Sequence, residues 1–191
     1  MKKLFFVLFS LTINVDTFSA FESTYEPIQS EKILFINGNI LDGEGNELLD
    51  TDLLIADGKI IAIGKGISVD DKDVKIIDAK NKWITPGIID IHSHMGVYPA
   101  PSVRTSSDGN EATSPVTAEV WAEHSMWVQD PQYALALKGG ITTFHVLPGS
   151  ANLIGGRGVT VKNLQRNTIQ SMKYPDAKHS LKMACGENPK R

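Results

Sequence analysis

The sequence predicts an α/β protein in which a small antiparallel β-sheet is followed by a strand-helix-strand unit, and three stretches carry that expectation. Short β-type runs separated by turn residues fill residues 33–77, and Asp57-Gly58 between LLIA and KIIAIG has the form of a two-residue hairpin loop. Thr85-Pro86-Gly87 is turn chemistry ahead of Ile88-Ile89-Asp90-Ile91, a short apolar run rich in β-branched residues that reads as a buried strand. Asp130-Pro131 opens a helix that Gly139-Gly140 stops, and residues 141–146 follow as a second strand, the order a parallel barrel requires.

Taken in order, residues 1–20 carry Lys2 and Lys3, an apolar run over 4–13, and small residues at Thr17, Ser19 and Ala20. This is the layout of a secretory signal peptide, and the run is shorter than the ~20 apolar residues a membrane span needs. Cleavage after Ser19 or Ala20 is expected, with Phe18 a poor fit at the third position before an Ala20 cut. The expected product is periplasmic or secreted, with no membrane anchor once the leader is gone. Residues 21–32 are polar, contain Pro27 and show no periodicity, so they read as a lead-in. The strands expected next are 33–37, 52–56, 59–63 and 74–77, with a further turn at Asp42-Gly43-Glu44-Gly45.

Composition is that of an ordinary soluble globular protein, 41% hydrophobic and 21% charged. A formal charge of −3 without a Lys/Arg cluster argues against a nucleic-acid partner. The single cysteine, Cys185, forms no internal disulfide and rules out a cysteine-rich zinc module.

His92 and His94 leave the strand at residues 88–91 two positions apart, so on extended backbone both imidazoles point to one side. Imidazole is a usual ligand for zinc and similar metals. The segment 95–114 is a loop in which Asp108, Asn110 and Glu111 are either substrate contacts or solvated side chains. Ser114-Pro115 reads as a cap and first helical residue, with Val120, Trp121, His124, Trp127 and Val128 on one helical face and His124 a packed or surface residue rather than a ligand. His145 lies near the end of the second strand, where it either touches substrate or packs. PGSANLIGGRG at 148–158, with Arg157, is rich in small residues that let backbone amides approach an anion, or else is a tight packed loop; it lacks the Gly-Lys-Ser/Thr ending of a P-loop. Residues 159–163 and 180–186 are the candidate third and fourth strands.

The pattern PGIIDIHSH after a β-rich leader resembles the amidohydrolase superfamily, and PGSANLIGG resembles loops of its imidazolonepropionase and prolidase-like branch. That resemblance implies a (β/α)8 TIM-like barrel whose first three or four strands occupy residues 83–191, preceded by half of an accessory β-sandwich within residues 21–82. It implies one or two divalent metal ions, zinc being expected, held by His92 and His94. Glu187 or Lys182, not both, would bridge them, the lysine in carboxylated form. Asp90 tunes the site or caps the turn and is not a ligand in the family's pattern. His145 and Arg157 are the candidate substrate contacts. A barrel typically needs about 250 residues, so the 191-residue chain is expected to be an amino-terminal piece, with the general-base aspartate and two later histidine ligands beyond Arg191. The implied activity is hydrolysis of a carbon-nitrogen bond in a small cyclic amide, amide or dipeptide by metal-activated water. The alternative is a noncatalytic secreted remnant that at most binds metal weakly.

Overall fold

A computed structural model describes residues 20–190, so the leader expectation falls, up to residue 19, outside the described residues. The first sheet is built from β1 (Ile33–Leu41), β2 (Glu47–Ala56), β3 (Lys59–Gly64), β4 (Lys75–Asp78) and β5 (Trp83–Ile84) in the order β3-β2-β1-β4, with β5 also on β1. The β2–β3 hairpin turns through Asp57 and Gly58 at φ 51° and 70°, the left-handed pair that a type I′ turn demands and that glycine adopts without strain. The sheet is mixed rather than antiparallel, because β4 and β5 both run parallel to β1. The link through residues 65–74 carries the chain back across the sheet, and only a crossover of that kind, not a tight hairpin, makes a parallel neighbour.

The second region contains β6 (Ile88–Ser93), α1 (Gln132–Lys138) and β7 (Ile141–Val146), and β6 pairs parallel with β7. This is the expected strand-helix-strand unit. Gly139 caps α1 as foreseen, its N–H reaching the carbonyls of Leu135 and Ala136. Beyond β7 the parallel expectation fails. β8 (Ile154–Arg157) pairs antiparallel with β10 (Leu181–Met183), and β9 (Val159–Lys162) pairs antiparallel with β7. The short connections after β7 cannot house a crossover helix, so the chain doubles back instead. Among the described residues the barrel-type unit is β6-α1-β7, and the sheet order is β6-β7-β9.

The helix expected from Ser114 through Val128 is absent. Residues there form only a short 3-10 turn, Ala122–His124. Val116 and Trp121 instead bridge parallel to Ile154 and Arg157, and Asn152 places its carboxamide nitrogen within 2.7–3.1 Å of the Thr117 hydroxyl and the Glu111 and Ser114 carbonyls. Backbone groups satisfied by a neighbouring strand are not available to a helical ladder, and tertiary pairing overrides the apolar period.

Val97, Tyr133, Phe144, Val146, Val159, Val161 and Met172 form the core beneath this region. The strand expected to be buried is not: Ile88, Ile89 and Ile91 are 53%, 61% and 76% exposed, because β6 is an edge strand with α1 covering β7 rather than itself. The exit of β6 is held by Asp130, which is 1% exposed and accepts from Gly96 N, Ala100 N, Gln132 N and Gln132 Nε2 at 3.0–3.3 Å. Asp130→Ala would leave the buried Gly96 N–H and the half-buried N–H groups of Ala100 and Gln132 without this acceptor, at a cost of about 2–4 kcal/mol in a urea melt of the complete gene product. An unchanged midpoint would show that the loop after His94 does not depend on it.

Candidate metal centre

His92 and His94 stand where the sequence placed them, at the end of β6, with ring centroids 5.4 Å apart and planes nearly perpendicular. His94 Nδ1 lies 2.9 Å from the Leu147 carbonyl, which makes Nδ1 the protonated nitrogen and leaves Nε2 with a free lone pair. Such a backbone partner on the far nitrogen is how ligand imidazoles are oriented. Asp90 accepts from the His92 backbone N–H at 3.1 Å, so it closes the turn at the strand end.

The residue that the fold brings to this pair is Lys182. Its Nζ lies 3.3 Å from His92 Nε2, from β10 and ninety residues away in sequence. The Lys182 ammonium, with burial and His94 adding to it and Asp90 opposing, lowers the His92 pKa and favours the neutral, ligating imidazole. Burial in turn lowers the pKa of Lys182. Glu187 is not brought to the pair in the same way; its side chain is 90% exposed and pairs with Lys190 at 3.7 Å.

His145 lines the same open cavity of about 440 Å³ as His92 and Lys182. Its two ring nitrogens are engaged, Nδ1 with Thr160 Oγ1 at 2.9 Å and Nε2 with Ser180 Oγ at 2.6 Å. Burial, then His179 and His92, lowers its pKa. Gly158 has to be glycine for this packing, since a Cβ there would come within 2.7 Å of both Leu147 Cδ2 and Ser180 Oγ. Arg157 stacks its guanidinium 4.4 Å over the Trp121 ring. Four amides of the glycine-rich loop donate to protein acceptors: Gly149 N to Gly109 O, Ala151 N to Asn110 Oδ1, Ile154 N to Pro115 O and Gly158 N to Ser180 O.

On the other side of the pair, His94, Tyr98, Asn110, Gly149 and Asn188 line a cavity of about 290 Å³. Tyr98 packs edge-on to His94 at 5.5 Å and hydrogen-bonds Asn110. Of the loop candidates, Asn110 therefore borders the site, while Asp108 and Glu111 line a separate cavity with Trp121. His124 is exposed and packs against Phe21, as a surface histidine. Sequence reading missed Tyr98, Thr160 and Ser180. Tyr98 carried a weak signal, four residues after His94 in a turn, but nothing local links Ser180 to a histidine 35 positions earlier.

Among the described residues no group of three or more His, Cys, Asp or Glu could hold a metal ion. The donor set is two imidazoles and a lysine amine. It fits a divalent cation once the amine is neutral or carries a carboxylate, since an ammonium 3.3 Å from His92 Nε2 would repel one.

The site is thus a parallel strand pair of an α/β protein with two imidazoles at the carboxyl end of its first strand. The comparisons with known proteins make this specific: the chain is a relative of amidohydrolases and dihydroorotases. It is 34% identical over 151 residues to a protein named amidohydrolase tasK from Hapsidospora irregularis, covering 73% of this chain and 15% of that protein. It is 34% identical over 117 residues to a dihydroorotase from Bacillus cytotoxicus, covering 61% of this chain and 21% of that one. The crystal structure of an amidohydrolase from Thermotoga maritima superposes with a TM-score of 0.73 at 38% identity, over 83% of this chain and 40% of that one. The chain thus spans well under two thirds of the length of each of these relatives. No family model matches it.

Proposed function

We propose that the chain contributes the first metal-binding strand of a secreted hydrolase that cleaves a carbon-nitrogen bond in a cyclic amide, amide or dipeptide, and that the activity belongs to a longer product. The observation that carries this reading is the approach of Lys182 to the His92 and His94 pair from a distant strand. A divalent cation bound there, zinc being expected, supplies the charge that acidifies a coordinated water and polarises an amide carbonyl. His92 and His94 would hold it, with the Leu147 carbonyl fixing the tautomer of His94, and Lys182 in carboxylated form would be the further ligand. His145, held by Thr160 and Ser180, and Tyr98, held by Asn110, form the walls against which a small substrate is positioned.

For residues 20–190 alone the second reading, a noncatalytic remnant that binds metal weakly, is supported by the donor set of two imidazoles and one lysine.

The test is metal content of the complete gene product by mass spectrometry, beside turnover of a panel of cyclic amides and dipeptides. Lys182→Met is expected to lower the metal-to-protein ratio from about two toward one, while Glu187→Gln leaves it unchanged. The reverse pattern would transfer the bridge to Glu187, and no change in either would remove both.

A further inference from the structure

Away from the histidine pair, Glu123 is 2% exposed and its side chain is fully buried, an unusual place for a carboxylate. Lys173, 6% exposed, lies 2.6 Å from Oε2. Beyond this ion pair Oε2 has no hydrogen-bond partner among the described residues. The remaining contact of the carboxylate is with Phe21, whose backbone N donates to Oε1 at 3.0 Å, while the Phe21 carbonyl accepts from Lys173 Nζ. The residues after Phe21 are docked to the same place. Ser23 Oγ donates to Lys173 O at 2.9 Å and Thr24 N to Gln170 O at 3.0 Å. A polar segment with no periodicity is thus anchored at its first residue on a buried ion pair, and that residue is the one that follows the small Ala20 at the end of the leader-like stretch.

We propose that the Ala20–Phe21 bond is a processing site, and that the new α-ammonium of Phe21 is received by Glu123 beside Lys173. Water adds across the peptide bond in a leader-removing peptidase: Ala20 leaves as a carboxylate, and Phe21 nitrogen gains the two protons that make it an ammonium. The neutral N–H that now reaches Oε1 becomes a charged group with three donors. One keeps Oε1, and the added charge joins Lys173 in facing the buried carboxylate. Phe21 is 42% exposed and borders a cavity of about 570 Å³ with Glu123, Met126 and Ile169, which leaves room for the added hydrogens. An uncut or differently cut chain places an amide there and loses the charge. The site is independent of the metal reading, since none of its residues touches His92, His94 or Lys182.

The complete gene product, leader included, is expressed in a bacterial host with an export pathway, and the exported protein is read by terminal sequencing and intact mass. Phe21 is expected as the first residue; Ala20, Met1 or any other start overturns the proposal. The native α-amine is then acylated at neutral pH with an amine-reactive ester. Pairing with a buried carboxylate is expected to slow its labelling about tenfold relative to the unfolded chain, the effect of one pKa unit. Glu123→Gln is expected to restore the unfolded rate. Should that variant fail to fold, a glycine inserted between Ala20 and Phe21 moves the ammonium one residue out with Glu123 intact, and faster labelling with a lower melting temperature is expected. Equal labelling and melting of the inserted and native proteins would refute the docking.

Discussion

Replacing His92 and His94 together by alanine is expected to take the zinc content of the complete gene product from stoichiometric to background. Loss of an outer-shell hydrogen bond alone typically costs about 10–100-fold in metal affinity, and this variant removes both proposed ligands. The effect is large because, among the described residues, the donors left in that cavity are Lys182, whose unmodified ammonium opposes a cation, and His145, whose two ring nitrogens are engaged. Metal content by mass spectrometry, with circular dichroism to confirm that the fold survives, decides the matter. Undiminished zinc in a folded double variant would make the pair structural, held for its contact with Leu147 rather than for an ion.

Residues 21–191 purified alone are expected to bind a hydrophobic dye and to melt without a cooperative transition. Ile88, Ile89 and Ile91 on β6 are more than half exposed, and so are Ile60, Ile61, Ile76 and Trp83 on the first sheet. Full burial of one such side chain is worth roughly 1.5–3 kcal/mol, so half-burial of seven forgoes on the order of 5–10 kcal/mol. That is the size of the whole stability of a typical domain, about 5–15 kcal/mol. β6 is also an unpaired edge, which invites association with a second copy. A sharp calorimetric transition with no dye binding would show that the remaining core, centred on Phe144 and Tyr133, suffices by itself.

The parts of the molecule legible in the sequence were those decided by neighbours along the chain. Turn chemistry at Asp57-Gly58 and Gly139-Gly140 marked a hairpin and a helix end, because φ preference is a property of single residues. The two-residue period of an extended strand put His92 and His94 on one side, and it needed no knowledge of what lay opposite. Local pattern misled where a distant segment competed for the backbone. Residues 114–128 have a helical apolar period, yet Ile154 and Arg157 take their hydrogen bonds and leave only a 3-10 turn.

Where neither a two-residue turn nor a crossover helix marked the link, pairing direction and partner choice were settled by the tertiary structure. The parallel run of β4 beside β1 and the antiparallel return of β9 beside β7 depend on the path of the links between them, which composition does not encode. The same holds at the site. Sequence offered Lys182 or Glu187, five residues apart, with a slight preference for Glu187, whereas the pairing of β10 with β8 carries the lysine to His92 and the glutamate turns out to solvent beside Lys190. The anchoring of Phe21 on Glu123 and Lys173 was likewise invisible, because an ion pair between residues 50 apart leaves no local pattern and exists only where folding has removed both charges from water.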